Sequence, residues 1–281
     1  MSNKALVSVV IITKNEEANI EACLKSVYGW AGEIIVVDDE SRDRTVELAR
    51  RYADKILHRK MDIEGKHRNW AYQQAKNDWV LSLDADERVT EELKEEIRKN
   101  LKINTKYVCF SIPLRNYIGD YWVKYGGWYP APKIRLFRKD KFKYEEVEVH
   151  PRAFIEGECG RLKSNIIHKG YSTFKDFLNS VNNQSTLEAV KWYKLSLVNP
   201  KKASLKMNFI HALWRMFDRF FRRFIRKKGY KDGLYGFIVA YFDSLYQILS
   251  YAKYWEMKRE SRGGEKLAEN KGCVSGQRRG D

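Results

Sequence analysis

The order of apolar runs predicts an α/β fold: a doubly wound, mostly parallel sheet with helices on both faces, followed by a carboxyl-terminal α-helical, membrane-associating region. Three observations carry this. Short β-rich runs alternate with segments of helical spacing through the first 90 residues. The runs are apolar throughout, as parallel strands buried on both faces must be. Two of them stop abruptly at paired acids, Asp38-Asp39 and Asp84-Ala85-Asp86.

Leu6 to Ile12 reads as the first strand, and Ile20, Leu24 and Val27 recur at helical spacing in the segment that follows. Glu33 to Val37 is the second strand, and Ser41-Arg42-Asp43-Arg44-Thr45 opens a helix through Arg51. A short strand at Lys55 to His58, a loop at Arg59 to Lys66, a helix at Arg68 to Lys76 and a strand at Trp79 to Leu83 complete the alternation. Val108 to Leu114 and Lys133 to Arg138 read as further strands. In such sheets ligands gather at the carboxyl ends of the strands, so Asp39 and Asp86 are expected to face one cleft. Two clustered carboxylates suit a hard divalent cation, Mn²⁺ or Mg²⁺, which prefers oxygen and neutralises phosphate. The same acids also suit a cap on the helix expected from Thr90, and the spacing alone leaves both readings open. No Gly-rich phosphate loop follows the first strand, which argues against a dinucleotide fold or a P-loop.

The segments VSVVIITKNEEANI, EIIVVDDESRDRT and GKHRNWAYQQAKNDWVLSLDADE, in this order, resemble the nucleotide-binding half of glycosyltransferase family 2, whose fold is GT-A. The resemblance implies an inverting transfer of a hexosyl or heptosyl unit from a nucleoside-diphosphate sugar. It implies that Thr13, Asn15 and Glu16 border the nucleotide, that Asp39 reads the base, and that Asp84 and Asp86 place the metal on the diphosphate. Lys66 and Arg68 are expected at the diphosphate, since Arg68 opens a helix whose amino end also favours anions. From Tyr144 to about residue 259 the chain also resembles a subgroup associated with bacterial lipopolysaccharide core assembly, with Val149-His150 and Ile167-His168 as landmarks. The acceptor so implied is a lipid-linked or lipopolysaccharide core glycan of the cell envelope. Glu146, Glu148 and His150 alternate onto one face of an extended segment. Glu148 is the first choice for the base and Glu146 the second, while His150 and His168 are candidates for the metal shell or for acceptor phosphate.

The expected organisation is a catalytic domain over 1–170, with a nucleotide half at 5–90 and an acceptor half at 91–170. A helical, basic region at 171–260 and a disordered tail at 261–281 follow. Of the formal charge of +16, +11 falls within 201–281, where 19 Lys and Arg face 8 Asp and Glu. Between Met207 and Lys228, aromatic and aliphatic residues recur at helical spacing among arginines, the pattern of an interfacial helix on an anionic membrane. Packing against the catalytic domain would use the same stripe. Phe237 to Trp255 lacks the long uncharged stretch of a span and is expected to be interfacial or packed. The four cysteines show no metal or disulfide spacing and read as reduced thiols; with no cleavable signal evident, the expected location is cytoplasmic, peripheral on the inner face of the membrane. A nucleotidyltransferase is the alternative enzyme, and a basic nucleic-acid-binding protein the alternative of another class; the sheet-edge carboxylates, which repel phosphate without a cation, disfavour the latter.

Overall fold

The computed structural model describes residues 4–102, 105–147, 152–201 and 207–274, the last with side chains through Ser261. The chain divides into two compact units, one formed by residues 1–124 and 128–172, the other by 125–127 and 173–281.

The first unit is built on a seven-stranded sheet. In chain order its first elements are β1 (Ala5–Thr13), α1 (Ile20–Val27), β2 (Ala31–Asp38), α2 (Thr45–Ala49), β3 (Lys55–His58), α3 (Glu64–Gln73) and β4 (Trp79–Asp84). They are followed by β5 (Glu87–Val89), α4 (Glu91–Lys102), β6 (Tyr107–Ile112), β7 (Leu114–Ile118), β8 (Tyr121–Trp122) and β9 (Lys133–Arg138). Four short strands close the unit: β10 (Phe142–Tyr144), β11 (Ala153–Ile155), β12 (Glu158–Arg161) and β13 (Ile166–Tyr171). The sheet order is β12-β6-β9-β4-β1-β2-β3. Strands β3, β2, β1 and β4 are parallel, as the apolar runs predict, whereas β9 inserts antiparallel between β4 and β6. A four-stranded sheet, β5-β13-β7-β8, lies beside the large one in the same unit, and β5 was not evident in the sequence because three residues carry no periodicity.

Alternation along β1 divides the core. Val7, Val9 and Ile11 point to the face covered by Ile20, Leu24 and Val27 of α1 and by Leu93 and Ile97 of α4. Val10 points the other way, with Ile35, Val37 and the α3 residues Ala71 and Tyr72. Helices therefore cover both faces, the doubly wound arrangement the sequence predicts. The Tyr72 hydroxyl, buried against the sheet, shares a 2.9 Å hydrogen bond with Ser82 of β4.

Helix α3 begins at Glu64, four residues before its expected start. Gly65 makes this possible: a Cβ there would overlap the carbonyl oxygen of Glu145, so the helix approaches that segment as only glycine permits. Asn69 holds the same approach from its side chain, which donates to the Tyr144 carbonyl at 2.9 Å and accepts from the Tyr144 N–H at 2.8 Å. Gly65→Ala is therefore expected to lower stability by about 1–3 kcal/mol through overpacking, read by urea denaturation; an unchanged midpoint would show that the helix start yields freely.

The second unit contains α5 (Phe174–Val198), α6 (Phe209–Phe221) and α7 (Gly233–Val274). Helix α5 opens with a capping box between Thr173 and Asp176, and α6 with Asn208 accepting from the His211 N–H at 2.9 Å. Between α6 and α7 lie a π-helical turn, Arg222–Arg226, and a 3₁₀ turn, Gly229–Asp232. Ala189, Met207 and Tyr254 form a small core in this unit. Lys253 donates to the Asn182 carbonyl and to Asn182, Ser185 and Thr186 side-chain oxygens at 2.7–2.8 Å, tying α7 to α5. Val239, Ala240 and Tyr254 are buried, so much of the apolar segment from Phe237 to Trp255 packs within the unit. The helix continues to Val274, through the first part of the tail expected to be disordered, where Lys266, Leu267, Ala268 and Glu269 are all strong helix formers. Among the described residues no helix is long and apolar enough to cross a membrane.

Candidate active site

The register of the parallel strands brings the expected acids to one edge. Thr13 of β1 is paired with Asp38 of β2, and Ile12 with Asp84 of β4, so the carboxyl ends of three adjacent strands lie level. Asp39 extends β2 by a hydrogen bond from its N–H to the Thr13 carbonyl, at 2.9 Å.

Asp39 is buried and accepts from Lys14 Nζ at 2.9 Å and from the Met61 N–H at 2.8 Å. Burial opposes its charge, but these donors outweigh it and hold the carboxyl below its ordinary range. Asn15 adopts the left-handed conformation, φ 53°, that asparagine tolerates. Its N–H donates to Ser41 Oγ at 2.9 Å, and its Oδ1 accepts from the Arg42 N–H at 2.8 Å. The Glu16 N–H donates to Thr45 Oγ1 at 2.7 Å, and its carboxylate accepts from Asn19. The turns after β1 and β2 are thereby locked together. Burial nevertheless pushes the Glu16 carboxyl up, and the negative charge of Asp86 adds to this. Thr13 is buried, and among the described residues its hydroxyl has no hydrogen-bond partner.

Asp84 lies between two guanidinium groups. Arg68, carried by α3, approaches Oδ1 at 3.4 Å, and Arg135 of β9 bonds Oδ2. Arg135 also bonds Glu87, which is fully buried and whose Oε2 accepts from the Asp84 N–H at 3.0 Å. Burial works against the Asp84 charge, yet Arg135 and Arg68 hold it well below the carboxylate range. Glu87 is pushed up by its complete enclosure, which Arg135 only partly offsets. The sequence reading did not identify Arg135 or Glu87. A charged residue inside the otherwise apolar run Ile134 to Phe137 was the available signal, and its meaning depends on a strand pairing some fifty residues away.

Asp86 faces His168 of β13, with Oδ2 and Nε2 3.1 Å apart. The other ring nitrogen, Nδ1, is 2.7 Å from Asn116 Oδ1. Burial disfavours the imidazolium, but Asp86 and Glu87 raise the pKa above its ordinary value. The imidazole is thus oriented from behind by Asn116 and presents one nitrogen beside a carboxylate oxygen. Among the described residues no group of three His, Cys, Asp or Glu is poised to hold a metal; at this edge Asp86 pairs with His168 and Asp38 with His58, while Asp84 is engaged by arginines.

The other expected residues lie elsewhere or outside the description. Lys66 is exposed and paired with Asp62 at 3.3 Å. Glu146 is exposed and paired with Lys143 at 3.3 Å. Both line a groove of about 770 Å³ with Trp70, Phe142 and Phe154, and that groove includes none of Asp39, Asp84 and Asp86. Glu148 and His150 fall outside the described residues.

Residues 8–155, just over half of the chain, match the model of "Glycosyl transferase family 2". The "Lipopolysaccharide core biosynthesis glycosyltransferase LpsC" of Rhizobium meliloti is 26% identical over 272 residues, which cover 91% of this chain and 94% of that protein. An uncharacterized glycosyltransferase of Rickettsia felis is 40% identical over 182 residues, 64% of this chain and 54% of its own length. Among solved structures, S. aureus TarS 1-349 in complex with UDP is 18% identical, with 92% of this chain and 91% of that chain covered and a TM-score of 0.43. The family match over this sheet edge, with its Asp-x-Asp pair, decides the assignment: the chain belongs to glycosyl transferase family 2 and is a glycosyltransferase.

Proposed function

We propose that the enzyme is an inverting, metal-dependent glycosyltransferase that moves a hexosyl or heptosyl unit from a nucleoside-diphosphate sugar to a lipid-linked or lipopolysaccharide core glycan. The observation that carries this reading is the gathering at one sheet edge of Asp39, just past the end of β2, and the Asp84–Asp86 pair at the end of β4, with Arg68 at Asp84 and His168 at Asp86. Asp39 reads the base of the nucleotide, and Thr13, Asn15 and Glu16 border it. Arg68, in the second turn of α3, is the cation on the diphosphate. Lys66 is proposed as a second, outer cation.

A carboxylate oxygen and an imidazole nitrogen are both donors that Mn²⁺ or Mg²⁺ accepts. Asp86 and His168 would hold the ion, with Asp84 behind them and His150 as a further candidate. Bound there, the metal would stabilise the charge of the leaving diphosphate. The acceptor hydroxyl oxygen attacks the anomeric carbon as the bond from that carbon to the diphosphate oxygen breaks on the opposite face. Its proton passes to a carboxylate, Glu148 by preference and Glu146 otherwise. A lipid-linked acceptor sets this reaction at the inner face of the cytoplasmic membrane, in keeping with the likeness to LpsC.

A thermal-shift screen against nucleotide sugars, with and without Mn²⁺, tests the reading. At least one donor is expected to stabilise the protein, more strongly with the metal; no response to any nucleotide sugar in the presence of Mn²⁺ would overturn it.

A further inference from the structure

Helix α6 carries two apolar stripes. Phe220 and the following Phe224 pack within the second unit, with ring centroids 6.0 and 5.8 Å from Phe237 of α7. On the same side Arg219 makes paired 2.9 Å hydrogen bonds to Asp243 of α7, which Arg223 also contacts. Among the described residues the other stripe has no such cover. Ile210, Trp214, Phe217, Phe221 and Ile225 follow one another at steps of four, three, four and four residues, and they are 49–79% exposed. The π-helical turn at Arg222–Arg226 continues the stripe past the end of α6.

Five large apolar side chains in a row, each about half exposed or more, form a contiguous apolar surface of the kind that marks an interaction site. The cations around it identify the partner. Arg222, Arg226, Lys228 and Lys231 are all exposed at the end of the stripe, and the acid there, Asp218, pairs with Arg222 at 3.2 Å. An apolar stripe flanked by cations fits the boundary between acyl chains and anionic head groups, where long basic side chains reach outward to phosphate. A protein partner would need both an apolar groove and an acidic rim; a bilayer with anionic lipid supplies both everywhere on its surface.

We infer that the α6 stripe and the cationic turn that follows it dock the second unit on an anionic phospholipid bilayer, lying in the interface without crossing it. The inference deepens the proposed reaction at a lipid-linked acceptor, on which its setting rests, by naming the surface that meets the lipid.

Flotation of the full-length protein with vesicles tests it. The wild type is expected to float with phosphatidylcholine vesicles containing phosphatidylglycerol and much less with phosphatidylcholine alone. The triple variant Trp214→Glu, Phe217→Glu, Phe221→Glu changes exposed positions only; it is expected to keep its circular dichroism spectrum and to lose binding at least about ten-fold. Arg226→Glu with Lys228→Glu should weaken binding to the anionic vesicles by roughly five-fold per cation. A wild type that stays at the bottom, or a correctly folded triple variant that floats as well as the wild type, overturns the inference. So does sedimentation showing a wild-type dimer that the triple variant dissolves, because the stripe would then be a contact between copies. Donor hydrolysis in vesicle-free solution is read in parallel: its loss in the wild type counts against the proposed reaction, and its retention in a protein that does not float counts against this surface alone.

Discussion

Asp86→Ala is expected to reduce sugar transfer by about a thousand-fold or more, the kinetic worth of several kcal/mol of leaving-group stabilisation. Of the two acids in the Asp-x-Asp pair, Asp86 is the one not already bonded to arginine; it faces a histidine nitrogen at 3.1 Å. Removing it leaves Asp84, whose carboxylate is shared by Arg68 and Arg135 and is less free to accept a cation. Steady-state assays of nucleoside-diphosphate release, with Mn²⁺ titrated from chelated protein, check this. The wild type should be silent in chelator and recover with metal, while the variant should stay low at every metal concentration. Full activity of the variant in chelator would remove the metal from the mechanism.

Arg135→Met is expected to be the most destabilising single change at the site, by about 3–5 kcal/mol, because it strands buried carboxylate charge rather than because a favourable pair is lost. Arg135 is 3% exposed and Glu87 is fully buried, so water cannot replace the guanidinium. Adding Glu87→Gln to this variant should restore part of the loss by removing one of the two charges. Urea denaturation of the single and double variants measures both effects. Equal stability of Arg135→Met and wild type would mean that the two acids are neutral or hydrated in the folded protein.

The parallel core was legible because β1, β2 and β4 are each continuous in sequence and largely apolar on both faces. The placement of Asp39, Asp84 and Asp86 at one sheet edge was legible because each lies at or just past the end of a strand, whereas Arg68 stands in the second turn of α3 and not at its start. What stayed hidden depends on contacts remote in sequence. Arg135 acquires its role only when β9 lies beside β4, and Asn116 orients His168 across 52 residues. The early start of α3 depends on a close approach to Glu145 that no local signal records. For α6, hydrophobic spacing announced an amphipathic helix but could not assign its apolar residues to two opposite uses. Packing on α7 takes Phe220 and Phe224, and the stripe from Ile210 to Ile225 remains outside.

The antiparallel β9 bears on how the protein is made. A nascent chain that has emerged only to residue 132 possesses β1 to β4 and both acids of the Asp-x-Asp pair, but β4 has an unpaired edge and Glu87 has no counter-ion. One strand then supplies hydrogen bonds to that edge, a link to β6 and the guanidinium between Asp84 and Glu87. Closing a contact over this separation is slow relative to local helix formation. Ribosome-bound intermediates shorter than this would therefore be vulnerable to proteases and to edge-to-edge association until β9 pairs with β4.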